Sequence, residues 1–348
     1  MNPAQFRSLL LITVTVMIAV CLSAVITGPS DIGLARTVQI ILNLITDNQL
    51  DGLISDVKAW QQTVIVQVRL PRVITAVLVG ASLAVSGAVL QGLFRNPLAS
   101  PSILGVSSGA SLGAVIAIFL GLAAGTLWAL PLFSFIGAGL TLLLVYRIAT
   151  NRGNTPVGTL LLSGVAVSAF NVAMSSLVLA LAVRDWEVGQ SILYWTMGGL
   201  DGRNWFHVLL LLPVFIFSMV VIFNFQRDLD IMLVGEIHAN TLGVDVARVR
   251  LYLLIVTALL TGCAVSVAGG IGFVGLVVPH ITRLLSGPHH QRLLPLSALL
   301  GAIILVLADL LLRGKADDTT IPLGVVTAAM GAPFFLFLLM KQRKQITI

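Results

Sequence analysis

Asp309 and Arg313 stand four residues apart in a stretch that is otherwise almost wholly apolar. That spacing puts two side chains on one helix face, so the chemistry on offer is an ion pair in a place where a lone charge is costly. His280, directly after Pro279, and His207 are the other ionisable groups in or beside apolar runs. Each suits either a hydrogen bond between helices or ligation. Catalytic constellations are missing around them. The sequence has no HExxH pair, no GxSxG elbow and no GxxxxGK[ST] phosphate loop, so any ATP used must be bound by another chain. No series of carboxylates runs through the apolar segments as a proton relay would, and a proton- or sodium-driven carrier needs a site for its coupling ion near mid-membrane. Cys21 and Cys263 lie in apolar runs without metal-ligand spacing and read as small buried hydrophobes.

The elements that must hold these groups are apolar helices. The chain is 57% hydrophobic and 10% charged, with a mean hydropathy of +1.03, whereas a globular domain is about 25% charged. Lipid is therefore its solvent, and in lipid only helices and closed barrels satisfy their own backbone. The runs are too long for barrel strands. Ten spans are expected, at 8–27, 74–93, 104–122, 127–148, 157–183, 205–223, 251–268, 271–285, 293–312 and 321–340. The first is kept as a span because its apolar run outlasts a signal-peptide core and no cleavage signature follows. The expectation is one membrane domain over residues 1–348. Threading it from a cytoplasmic N-terminus places 12 of the 20 Lys and Arg inside and 8 outside, as the positive-inside rule prefers. Both termini are then cytoplasmic. The net charge of +6 reflects that topology, and no nucleic-acid partner is expected.

Three connections are long. In the outer segment 28–73, residues 35–45 have helical apolar spacing and suit the membrane surface. In the outer segment 184–204, aromatic residues Trp186, Tyr194 and Trp195 favour the membrane boundary, and 188–197 suits a short surface or re-entrant helix. The inner segment 226–250 is charged. Its expected form is a short helix over 232–242, a stop at Gly243, and a second short helix capped by Asp245 and reaching Arg250. Such a pair is either a docking surface or a solvated connector. Small residues crowd two spans: Gly80, Ala81, Ser82, Ala84, Ser86 and Gly87 in one, Gly109 and Gly113 in the next. They serve close helix packing, a weakly polar channel lining, or both.

Several segments together resemble the permease subunits of ATP-binding-cassette importers for iron-siderophores, haem and cobalamin. They are Arg69-Leu70-Pro71-Arg72 with the Gly80–Gly87 run, Phe94-Arg95-Asn96-Pro97-Leu98-Ala99 with Leu104-Gly105, and Tyr194-Trp195-Thr196-Met197-Gly198-Gly199. Gly272-Phe273-Val274-Gly275-Leu276-Val277-Val278-Pro279-His280 is the most specific, and Ile321-Pro322-Leu323-Gly324 and Gly331-Ala332-Pro333-Phe334 complete the set. The resemblance runs from about residue 69 to the C-terminus. It implies an all-α, ten-span, type II importer permease in a bacterial inner membrane, paired with a copy of itself or a paralogue. It further implies two cytoplasmic ATPase subunits and a periplasmic substrate-binding protein. It implies, too, that this chain carries no cofactor and is itself no enzyme, with ATP and magnesium expected on the ATPase. By the same resemblance Glu236, Ala239, Leu242 and Gly243 meet the ATPase. Arg69, Arg72 and Arg313 face acidic residues of the binding protein; headgroup anchoring competes for the first two, and the Asp309 pair for the third. The inner gate falls at Thr155, Pro156, Val157 and Gly158, although this segment lacks an evident polar gate, and Ser82 and Ser86 suit the path. The charged loop 314–320 is a candidate for tuning binding-protein choice. Ferric siderophore is the favoured cargo, with haem and cobalamin as rivals. A secondary carrier or channel is the alternative of another class.

Overall fold

The computed structural model describes residues 2–30, 32–46, 57–150, 155–313 and 321–346, and among them the regular structure is helical throughout, with no strand. The charged loop 314–320 lies outside the described residues. Seven helices are long and apolar enough to cross a membrane: α1 (Pro3–Ile26), α3 (Ala59–Leu93), α5 (Ala129–Ala149), α6 (Val157–Ala182), α8 (Trp205–Asn224), α11 (Val246–Ala268) and α13 (His290–Arg313). Between them come α2 (Leu34–Ile45), α4 (Val106–Phe119), α7 (Trp186–Met197), α9 (Gln226–Val234), α10 (Glu236–Thr241), α12 (Val274–Ser286) and α14 (Leu323–Ile346). Seven of the ten expected spans fall on the seven long helices, two fall on the short helices α4 and α12, and the last falls on α14, whose apolar part is Leu323–Leu336. The 14 residues of α4 reach about 21 Å at 1.5 Å each, short of a bilayer. Ahead of it, tight turns satisfy the backbone, with Ile103 N–H donating to Ser100 and Gly105 N–H to Ser102. Irregular backbone at such depth survives only where protein surrounds it.

Helix α3 is the centre of the fold and is buried on nearly every side from Val73 to Leu93. It starts well before the expected residue 74. Pro71 has no N–H to return to Gln67, and the chain answers with a π-helical stretch, Val64–Arg69, in which Leu70 N–H reaches back to Ile65. The small residues set how closely the other helices approach. A Cβ on Gly80 would lie 2.3 Å from the Gly301 carbonyl oxygen of α13, and one on Gly87 would lie 1.7 Å from the Gly275 oxygen of α12. Gly113 meets the Phe133 carbonyl at 2.0 Å by the same measure, so the Gly109/Gly113 pair is spent on the α4–α5 crossing. Outward, α1, α6 and α8 present bare apolar side chains such as Leu11, Leu162, Phe170 and Leu209. Lipid or a second subunit must cover them.

Two local expectations change. The helix expected over 232–242 is broken at Gly235, whose φ of +136° and ψ of 151° suit glycine above all. The second short helix expected after Asp245 is no separate element. Asp245 accepts from Arg248 N–H and caps the long span α11 itself. The surface helices come out near their expected positions, at Leu34–Ile45 and at Trp186–Met197, the latter capped by Asp185.

Candidate functional site at the two ends of the bundle

At one end, Asp309 is 1% exposed and gathers two arginines. Arg72 donates to it through Nε at 3.1 Å and Nη2 at 2.7 Å, and Arg313 through Nε at 2.8 Å and Nη2 at 2.5 Å. Arg72 also reaches Asp201 at 2.7 Å through Nη1. Arg69 and Arg313 do a second job: they close the C-terminus of α1. Arg69 Nη1 donates to the carbonyls of Val25 (3.0 Å) and Ile26 (2.6 Å), its Nη2 to Ser30, and Arg313 Nη1 to Ala24. The last carbonyls of a helix have no internal partner and carry its negative dipole end, so guanidinium groups are well placed there. The structure thus brings Arg69, Arg72 and Arg313 together, with their donors turned inward. A cavity of about 620 Å³ opens beside them, lined among others by Thr27, Arg69, Asp201 and Leu312. The sequence pairing of Asp309 with Arg313 is present. Arg72 and Asp201, 237 and 108 residues away, carried no local signal of joining it.

At the other end α9 and α10 form a bent pair around Gly235. Ala239 is fully buried, Leu242 ends α10, and Gly243 turns the chain at φ +86° with open space around it. Val234, Ile237 and Leu242 are 67%, 80% and 68% exposed, in helices whose neighbours are charged. Glu236 holds the buried Arg250, with Nη2 2.5 Å from its Oε1, and Arg250 Nη1 donates at 2.7 Å to the Thr155 carbonyl. Thr155 is buried and its hydroxyl meets that of Thr150 at 2.8 Å. Pro156 leads into α6, Val157 is half-buried and Gly158 is exposed, with nothing within 4 Å of where a Cβ would stand.

The profile of the FecCD transport family matches residues 4–341. The chain belongs to this family. It is 48% identical over 278 residues to the cobalamin import system permease protein BtuC of Halobacterium salinarum, covering 80% of this chain and 73% of that one. It is 37% identical over 342 residues to the Fe(3+)-citrate import system permease protein YfmE of Bacillus subtilis, covering 98% of both. A chain solved in an inward-facing conformation, described as a metal-chelate type ABC transporter, matches with a TM-score of 0.83 at 32% identity over 96% of this chain and 99% of that one.

In this FecCD protein Ser82 and Ser86 stand apart from both ends. Both are wholly buried in α3, between glycines that closely approach α12 and α13, and in this arrangement they reach no surface. His207 Nδ1 accepts from the Asn204 N–H at 3.2 Å and completes a helix cap. His280 is half-buried on α12.

The sequence reading passed over His290 and Asp230. His290 is fully buried, and both its backbone N–H (2.9 Å) and its Nδ1 (2.6 Å) meet Asp230 Oδ1. Asp230 thereby caps α13 from α9, which ties the bent pair to the bundle. Gly92 makes room for the ring, since a Cβ there would lie 2.3 Å from Nε2. Burial pushes the Asp230 carboxyl up, but the hydrogen bonds from His290 outweigh it and hold it below its ordinary 3.8. A carboxyl lowered on folding stabilises the fold above its unfolded pKa, and that contribution is lost as pH falls through the folded one. Hydrogen exchange of α9, corrected for intrinsic rates, should stay level from about pH 7 to 5 and rise below about pH 4. Asp230→Asn should raise it at neutral pH and flatten the profile. A profile identical in the two proteins would remove the tie.

Proposed function

We propose that the chain is the permease subunit of an ATP-driven importer that carries a metal chelate, ferric siderophore in first place, across a bacterial inner membrane. The observation that carries this reading is the exposure of three large apolar side chains, Val234, Ile237 and Leu242, on the charged α9–α10 pair. Exposed apolar side chains gathered on a polar element mark a protein interface. Glu236, Ala239, Leu242 and Gly243 belong to that surface: Leu242 as a contact, Ala239 as its floor, Gly243 as its turn and Glu236 as its link inward. The absence of a nucleotide loop from the sequence makes a separate ATPase the fitting occupant, two copies serving a permease pair built from this chain and a second copy or paralogue. Both termini then face the cytoplasm. At the outer end, Arg72 and the exposed Asp201 form the lip that a substrate-binding protein would meet, and Arg69 and Arg313 shape it from beneath. Transport proceeds by rigid-body alternation of the bundles. The relatives' names span cobalamin and iron citrate, which supports a bulky chelate as cargo and leaves cobalamin and haem as the alternatives.

The test is reconstitution of the chain in vesicles with its ATPase and binding-protein partners. Uptake of a ferric chelate should require ATP and the ATPase. Ile237→Asp with Leu242→Asp should weaken ATPase binding at least about tenfold, the scale of losing an apolar anchor at an interface. Uptake at full rate without the ATPase would establish the carrier or channel instead.

A further inference from the structure

The geometry points to Arg250 as a positioning residue that passes the movement of the α9–α10 pair to the inner end of α6. This rests on the reading of that pair as the ATPase dock. Arg250 lies in the first two turns of α11, a helix buried along most of its length. Its guanidinium is itself buried and forks between α10 and the residue pair that leads into α6. One arm holds Glu236, the first residue of α10, at 2.5 Å, and the other holds the Thr155 carbonyl at 2.7 Å. Glu236 and Thr155 are 81 residues apart, and Arg250 joins them through one planar group.

Three physical features make this link a transmitter. First, a buried guanidinium is costly to leave unpaired, so the fork holds both partners unless another group replaces one. Second, the Thr155 carbonyl belongs to the bond into Pro156. The residue before a proline is confined to extended backbone, and Pro156 is itself fixed in φ and accepts the first α6 hydrogen bond from Leu160 N–H. A displacement of that carbonyl is therefore handed to α6 with little slack. Third, Glu236 starts a helix directly behind the break at Gly235, so a partner pressing on Ile237 and Leu242 moves α10 and carries Glu236 with it. Lysine could not substitute. Its ammonium is a single point charge, whereas two acceptors on separate elements call for the fork of arginine.

The test uses the full assembly of this chain with its ATPase and binding protein in nanodiscs and vesicles. Arg250→Lys keeps the buried charge and Arg250→Met keeps the shape without it. Glu236→Gln removes the charge from one partner and leaves it a neutral acceptor. The ratio of chelate taken up to ATP hydrolysed should fall roughly tenfold in Arg250→Lys and Arg250→Met and less in Glu236→Gln, within the range of coupling between linked sites. ATPase stoichiometry in the purified complexes of the two Arg250 variants should hold. A spin label on Gly158→Cys, an exposed position with open space around it, should shift its distance distribution to the partner subunit's label on nucleotide trapping in the parent, and fail to shift in Arg250→Met. A merely structural arginine would lower yield and uptake together and leave the ratio and the label shift unchanged, which would overturn the assignment. A parent chain that never binds the ATPase would instead sink the docking reading, so the two failures are distinguishable.

Discussion

Asp309→Asn is expected to destabilise the fold by about 3–5 kcal/mol, the cost of breaking a buried ion pair by removing one partner. The carboxylate is 1% exposed and receives five guanidinium hydrogen bonds, three from Arg72 and two from Arg313. Without its charge, Arg313 is left with the Ala24 carbonyl and Arg72 with Asp201, two cations close together in a poorly solvated place. The end of α1 should loosen as well, because Arg313 is also its cap. Thermal melts of the purified protein in micelles would read the loss. The double variant Asp309→Leu with Arg313→Met should recover at least half of it, since the orphaned charge goes with its partner and Arg72 keeps Asp201. A single variant that melts within about 1 kcal/mol of the parent would mean that the cluster is solvated and its geometry energetically idle.

Gly87→Ala is the second large effect. Its added methyl would sit 1.7 Å from the Gly275 oxygen, a backbone atom that no rotamer change can move aside. Helices α3 and α12 must separate by more than an ångström, and overpacking of this sort costs about 1–3 kcal/mol or more. About 3 kcal/mol is expected here because the clash is with backbone and α3 is central to the fold. Gly139→Ala is the matched control. It lies in α5 with open space at its Cβ position, so alanine should be neutral or add up to about 1 kcal/mol through helix propensity. Equal melting points for the two variants would refute the close α3–α12 approach.

Particular elements show how far the sequence alone reaches. Apolar run length marks where helices cross, because the hydrocarbon thickness sets a minimum number of residues. It is less informative for α4 and α12, which are 14 and 13 residues long, since a span enclosed by protein no longer needs full length. The i,i+4 spacing of Asp309 and Arg313 announced an ion pair, and the left-handed turn at Gly243 was legible in the residue type. Gly235 was equally a glycine, yet its break in the inner pair went unread, because a glycine within a helical pattern is ambiguous until packing decides whether the chain bends. Ser82 and Ser86 show the same limit: small polar residues fit a packed crossing and an open path alike.

Chain chemistry by itself determined that this is a helical membrane protein, since hydropathy and periodicity are properties of consecutive residues. The folded arrangement alone decided that Asp309 collects Arg72 as well as Arg313, that Arg69 closes α1, that Asp230 caps α13, and that Arg250 spans from Glu236 to Thr155. These pairings cross tens to hundreds of residues. They exist because buried charges and helix ends must find partners among whatever groups the packing brings near, and that neighbourhood is written in no local pattern.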